Sequence, residues 1–221
     1  MGIKISKYFG KETKFTCSNK FDEQRVQTLM GEVVQTQEII RLCNSETLFY
    51  DVGAAIGTMG LHIAHFARKV VLIEPDPAHA KLLRENISIN NFSNTVMFEV
   101  GVGNFEGNAA LHTDGKTNGI CPSCKGGLGH KGSISIDICT LDSLFEKTGV
   151  PDILKMDIEG YELEALLGMN KSPKYLFIEI HPHHAENLSL ADDIKDLLSS
   201  RYRQSYLYNR KTELLSKWEL L

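Results

Sequence analysis

Cysteine is scarce in this 221-residue chain and poorly arranged for cross-linking, with five residues at 17, 43, 121, 124 and 139. An odd, scattered set does not make a disulfide framework, which favours a reducing cytoplasm over secretion. Charge of one sign is lacking as well. A formal net charge of −4 and a pI near 6.1 leave no basic footprint, so no nucleic-acid partner is expected. No apolar run approaches the roughly 18 residues needed to span a bilayer, and no membrane partner is expected. The opening MGIKISKYFGKETKF has no signal-peptide core. Met1-Gly2 with Ser6 fits the loose myristoylation pattern, which carries weight only in a eukaryotic host. Internal repeats and blocks of like charge are also absent. The expectation is a soluble cytoplasmic protein, its oligomeric state left open.

What the chain does have is enough apolar content, 42%, to bury a core, and one domain over residues 1–221 is expected. Residues 22–43 place Val26, Leu29, Val33, Val34, Ile39, Ile40 and Leu42 at spacings that suit amphipathic helix, so residues 1–46 read as a helical extension. The core, 47–221, alternates short apolar runs with helical stretches. TLFYDVG, KVVLIE, TVMFEVGVG, PDILKMD and KYLFIEIHP read as buried strands. GTMGLHIAHFAR and PAHAKLLRENISI read as helices, the second opened by Asp76-Pro77. A further helix runs through Leu166-Leu167 to a cap at Gly168, and another covers 190–200. Continuous apolar strands separated by helices imply a parallel sheet covered on both faces, a doubly wound α/β fold. The C-terminal stretches YRQSYLYN and TELLSKWEL read as a hairpin on the sheet edge, hence antiparallel. Residues 113–133, with six glycines and the pair Cys121 and Cys124, read as a long loop between two strands. Such a loop is placed to close over an acceptor as a lid, the alternative being a disordered surface insertion.

In an open parallel sheet, ligands sit outside the carboxyl ends of the strands. The side chains there are Asp51 and Gly53, Glu74, Gly101 to Asn104, Asp157 to Gly160, and His181. Gly53 and Gly57 allow close approach of a ligand to the turn after the first strand. Their spacing is not the G-x-G-x-x-G of a dinucleotide site, and Asp51 two residues earlier repels a pyrophosphate. An acid there suits a cationic ammonium, and Glu74 is placed to take both hydroxyls of a ribose. An ammonium with a ribose describes S-adenosylmethionine. A nicotinamide dehydrogenase is disfavoured by the same features. Lys155 and Asp157 share one face of a strand, either as an ion pair or with Asp157 deprotonating an acceptor hydroxyl. Glu159 would assist through polar contact or a divalent metal, and His181, alternating with Glu179, is the other base candidate. Cys121-x-x-Cys124, with His130 nearby and His112 or Cys139 as further candidates, offers too few ligands at familiar spacing for a zinc signature, so reduced thiols are expected. His62 and His65 read as surface residues, as do His183 and His184.

The runs YDVGAAIGTMGLHIA, VVLIEPDP, VGVGN, TLDSLF, DILKMDIEGYELEALLGM and YLFIEIHP, over about residues 47–182, resemble the FkbM family of S-adenosylmethionine-dependent methyltransferases. The resemblance implies a Rossmann-like class I methyltransferase fold, mostly parallel with an antiparallel C-terminal strand. It implies cofactor contacts at Asp51, Gly53, Ala55, Gly57, Glu74, Pro75, Gly101 and Val102. The acceptor side falls on Asp157, Glu159 and His181, within a signature that also includes Lys155, Gly160 and Glu162. It implies O-methylation of a hydroxyl on a sugar or small metabolite, the alternative being a non-catalytic cofactor-binding or regulatory domain. Ala55 departs from the family, which commonly carries Asn there, and this puts one side-chain contact to the cofactor in question.

Overall fold

The computed structural model describes residues 2–113, 118–120, 132–181, 189–209 and 214–221. It is α/β, with a mostly parallel seven-stranded sheet, and divides into two compact units, Met1–Glu99 and Val100–Leu221. The expected loop tip with Cys121, Cys124 and His130, and the segment with Pro182, His183 and His184, lie outside the described residues.

The first unit opens with an antiparallel hairpin, β1 (Gly2–Tyr8) and β2 (Lys11–Cys17), in register from Gly2 with Cys17 to Tyr8 with Lys11. Its two turn residues, Phe9 and Gly10, have φ of 56° and 74°. Positive φ at both positions matches the twist of paired strands, although Phe-Gly lacks the usual Asn-Gly or Asp-Gly signal. The helical stretch expected over 22–43 is split. Helix α1 (Lys20–Thr28) is capped by Asn19, whose side chain accepts from the N–H groups of Phe21 and Asp22, and it ends where Leu29 turns left-handed. A single 3-10 turn leads to α2 (Val33–Leu42). The rest of the unit is strand–helix alternation: β3 (Leu48–Val52), α3 (Thr58–Ile63), β4 (Lys69–Ile73), α4 (Pro77–Ile89) and β5 (Thr95–Phe98). The three strands are parallel, with β4 between β3 and β5. Every residue of β3 and of α3 is buried, which is why their sequences run apolar without alternation.

Two histidines read as surface residues instead anchor the hairpin. His62 on α3 is 1% exposed, its Nδ1 3.1 Å from Thr13 Oγ1 and its Nε2 3.0 Å from Ser6 Oγ. His65 Nε2 reaches the same Thr13 hydroxyl at 3.0 Å. The hairpin covers this face of α3, so its polar positions find partners rather than solvent. Burial, then the neighbouring His65, holds the His62 pKa down at about 4. A lowered histidine contributes stability that is present above its unfolded pKa of about 6.5 and is lost as pH falls toward the folded value. The wild type should therefore lose up to about 3 kcal/mol between about pH 6.5 and pH 4 relative to His62→Gln. Denaturant unfolding of both proteins across that window checks it, and parallel pH profiles would remove His62 from the account.

The second unit carries a small sheet of β6 (Gly101–Val102), β7 (Gly107–Thr113), β8 (Asn118–Ile120) and β9 (Gly132–Cys139), in the order β6-β9-β7-β8. The run TVMFEVGVG, expected as one strand, is thus two, β5 and β6 in different sheets, interrupted at Glu99 and Val100. Then follow α5 (Leu141–Thr148), capped by Thr140, β10 (Ile153–Met156), α6 (Glu162–Leu167), β11 (Tyr175–Ile180) and α7 (Leu190–Leu198). The chain closes with β12 (Tyr202–Asn209) and β13 (Leu214–Leu220). β10 and β11 are parallel, while β13 is antiparallel to both β11 and β12, the expected C-terminal hairpin. Two glycines fix the packing here. A Cβ on Gly168 would run into the carbonyl oxygen of Gly103, and one on Gly103 would lie 3.1 Å from Ile138 and 3.2 Å from the Tyr161 ring. Among the described residues, no helix is long and apolar enough to cross a membrane.

Candidate active site

The first unit carries six of the eight residues expected to hold the cofactor, Asp51, Gly53, Ala55, Gly57, Glu74 and Pro75. β3 ends in Asp51 and Val52, and the chain turns through Gly53 (φ 81°), Ala55 (φ 48°) and Gly57 (φ 87°) into α3. The N–H groups of Gly53 and Ala54 both donate to the Ile73 carbonyl at 3.0 Å, tying the turn to the end of β4. Gly57 cannot be replaced freely, since a Cβ there would lie 2.5 Å from Leu83 Cδ1 in a conformation that side chains rarely adopt. Asp51 is buried, and its Oδ2 accepts from the Gly60 N–H at 2.9 Å in the first turn of α3. Gly60 carries no side chain because a Cβ would collide with Leu72 and lie 2.8 Å from Asp51 Oδ2. Sequence reasoning missed Gly60, which falls three residues beyond the glycine spacing it weighed.

Glu74 follows β4 and is 5% exposed. Its two oxygens point to two different elements. Oε2 accepts from the Ala55 N–H at 2.8 Å, and Oε1 accepts from the Asp76 N–H at 2.9 Å, bridging over Pro75. Each oxygen keeps a further lone pair, so the carboxylate can still accept a hydroxyl on each side. Burial raises its pKa, while the charge on His79 and the two backbone bonds lower it. Ala55 thus serves through its backbone rather than its side chain. Its left-handed φ is the conformation that Asn tolerates better than Ala, which gives the family's Asn a backbone reason. Asp76 caps α4 as read from the sequence, its Oδ1 accepting from the Ala78 N–H at 2.7 Å.

In the second unit, the loop after β10 and the end of β11 gather the acceptor-side candidates. Asp157 Oδ2 lies 3.7 Å from Lys155 Nζ, and Lys155 is buried. His181, immediately after β11, has Nε2 3.8 Å from Asp157 Oδ1, 3.8 Å from Glu159 Oε2 and 3.9 Å from Glu179 Oε1. Its Nδ1 faces Glu162 Oε1 at 3.5 Å. Glu162 is fully buried, and that same oxygen accepts from the N–H groups of Ile158 and Gly160, holding the loop in shape. Glu159 and Gly160 take φ of 57° and 100°, an uncommon conformation for Glu and one met at ligand-binding loops. Burial pushes the His181 pKa down, but the Glu162 contact and the charges of Asp157 and Glu159 outweigh it and raise it to about 10. The ring therefore carries a proton at neutral pH, and a carboxylate is the group with a lone pair to receive one. Asp157, Glu159 and His181 also offer one ligand atom each within 4.8 Å of one another, two carboxylates and an imidazole that would suit a first-row transition metal only once the ring gives up its proton.

Gly101 and Val102, expected at the cofactor, are both buried in β6, opposite Ile138 and Cys139 of β9. Asp51, Gly53, Ala55, Gly57, Glu74 and Pro75 share one local structure in the first unit, and Asp157, Glu159 and His181 share another in the second. Cys139, the one described cysteine among the zinc candidates, is a free thiol whose pKa burial raises.

A family model described as the methyltransferase FkbM domain matches residues 51–208. The chain belongs to the FkbM methyltransferase family. This FkbM chain is similar to the hexuronic acid methyltransferase AglP of Haloferax volcanii, at 28% identity over 186 residues, 80% of this chain and 74% of that protein. Among solved structures it resembles P. horikoshii TYW2 in complex with MeSAdo, with a TM-score of 0.52, 14% identity, and coverage of 99% of this chain and 70% of that one. M. jannaschii TYW2 in complex with AdoMet matches with a TM-score of 0.51 and 13% identity, covering 99% of this chain and 87% of that one. The Geobacter metallireducens precorrin-6y C5,15-methyltransferase matches with a TM-score of 0.52 and 12% identity, covering 85% of this chain and 87% of that one. At these identities the likeness is one of fold, and it is the Rossmann-like fold expected for the FkbM family.

Proposed function

We propose that this FkbM chain transfers a methyl group from S-adenosylmethionine to a hydroxyl of a sugar or small metabolite. The observation that carries the reading is Glu74, a buried carboxylate whose oxygens each hold one backbone N–H and keep a lone pair for one hydroxyl of a ribose. The bound donor would supply an electrophilic methyl on sulfur. The chain's own residues would fix the donor, orient the acceptor and take up one proton. Asp157 is assigned the proton, with Lys155 keeping it ionised beforehand and protonated His181 holding Glu159 and Asp157 in place.

The acceptor reading draws on AglP, a hexuronic acid methyltransferase. Among the described residues around His181 and Lys155, the four carboxylates of Asp157, Glu159, Glu162 and Glu179 stand against those two cations, a net negative setting that disfavours an anionic sugar. A divalent cation held by Asp157, Glu159 and His181, binding as the ring gives up its proton, would reduce that excess without reversing it, whereas a neutral sugar needs none. The test is formation of S-adenosylhomocysteine with a panel of neutral and acidic sugars, with chelator and with added magnesium or manganese. Turnover of a hydroxylated sugar is expected. Donor binding without turnover on any hydroxylated acceptor would leave a binding domain instead.

A further inference from the structure

We propose that His79 is a positioning residue for the cofactor ribose, acting through Glu74. The inference rests on the ribose reading of Glu74 and adds a residue outside the family motifs matched in the sequence. His79 sits in the first turn of α4, with Nδ1 3.9 Å from Glu74 Oε1 and 3.9 Å from Asp76 Oδ2. At those distances the ring bears on both acids through its charge once it is protonated. A cation in the first turn of a helix opposes the helix dipole, so a protonated His79 gains nothing from α4. What it faces is a carboxylate enclosed by protein.

Enclosure works against an ionised Glu74. Burial pushes its carboxyl up, and Asp76 beside it pushes the same way, while His79 and the N–H groups of Asp76 and Ala55 push down. A protonated Glu74 would present a hydroxyl where the ribose needs a lone pair. It would also set an O–H against one of the two N–H donors already in place. His79 and Asp76 are the charged groups that bear on Glu74, and His79 is the one that favours the anion. Its function is to keep the carboxylate an acceptor as pH falls.

The sign follows. A ligand that needs the Glu74 anion is held above the Glu74 pKa and released as pH falls through it. Removing the His79 cation raises that pKa further, so release should begin at higher pH. The experiment is calorimetric titration of the full chain with S-adenosylhomocysteine from about pH 8 to about pH 5. In His79→Gln the acid loss of affinity should move up by about one pH unit or more. In His79→Lys, which restores a cation, it should return toward the wild-type midpoint. A Gln variant that superimposes on wild type, or a Lys variant that behaves like Gln, overturns the proposal. Glu74→Ala serves as the separate control. If it binds like wild type, the ribose reading itself is wrong and His79 falls with it. If it loses binding while the His79 profiles coincide, only the His79 inference fails.

Discussion

Glu74→Ala should abolish measurable S-adenosylmethionine binding. Two hydroxyls on one ionised carboxylate contribute about 1.5–3 kcal/mol each, so the direct loss is on the order of 10²- to 10⁴-fold. The indirect loss adds to it. The same carboxylate accepts the Ala55 and Asp76 N–H groups, so its removal frees the glycine turn and the entry to α4 together. Glutamine is no rescue, because its amide would aim a donor at one of those two donors. Isothermal calorimetry on the folded variant checks the prediction, and affinity within threefold of wild type would end the ribose assignment.

Asp157→Asn should lower turnover by about 10²- to 10⁴-fold with donor affinity retained, the range associated with loss of a positioned base. Asparagine keeps the shape beside Lys155 and His181 but has no anion to take a proton. The competing account makes Asp157 only the counter-ion of Lys155. Lys155 is 3% exposed, and weakening a buried pair costs stability whatever the chemistry. The two accounts separate on the pair of readouts. Unchanged turnover with a lowered melting temperature would leave Asp157 as a structural partner.

Much of the fold was readable because burial on both faces writes itself as apolar runs with few polar breaks. β3, β4, β10 and β11 are of this kind, and the Asp76 cap and the edge hairpin β12–β13 follow local rules. The N-terminal hairpin was not readable. Its turn is Phe-Gly, and its inward face is carried largely by Thr13, Phe15 and Cys17 on one strand, while Ile3 and Ile5 face outward. Misreading it also misplaced His62, whose partners Ser6 and Thr13 lie 56 and 49 residues away. In the site, the signature identified Glu162 as a residue but not its task, since a glutamate cupping the loop it follows looks like any surface acid. His79 gave no signal because its meaning lies in distance to Glu74 and not in spacing.

The left-handed alanine at position 55 has a consequence for anyone improving this protein by selection. Glycine there would relieve strain of about 1 kcal/mol in the folded chain. It would also loosen the unfolded chain by about 0.4–1 kcal/mol, and the two changes offset each other. A library ranked by heat resistance is therefore nearly blind to this residue. One ranked by grip on the donor would reject proline above all, since proline lacks the amide that at 55 holds Glu74 from the turn side.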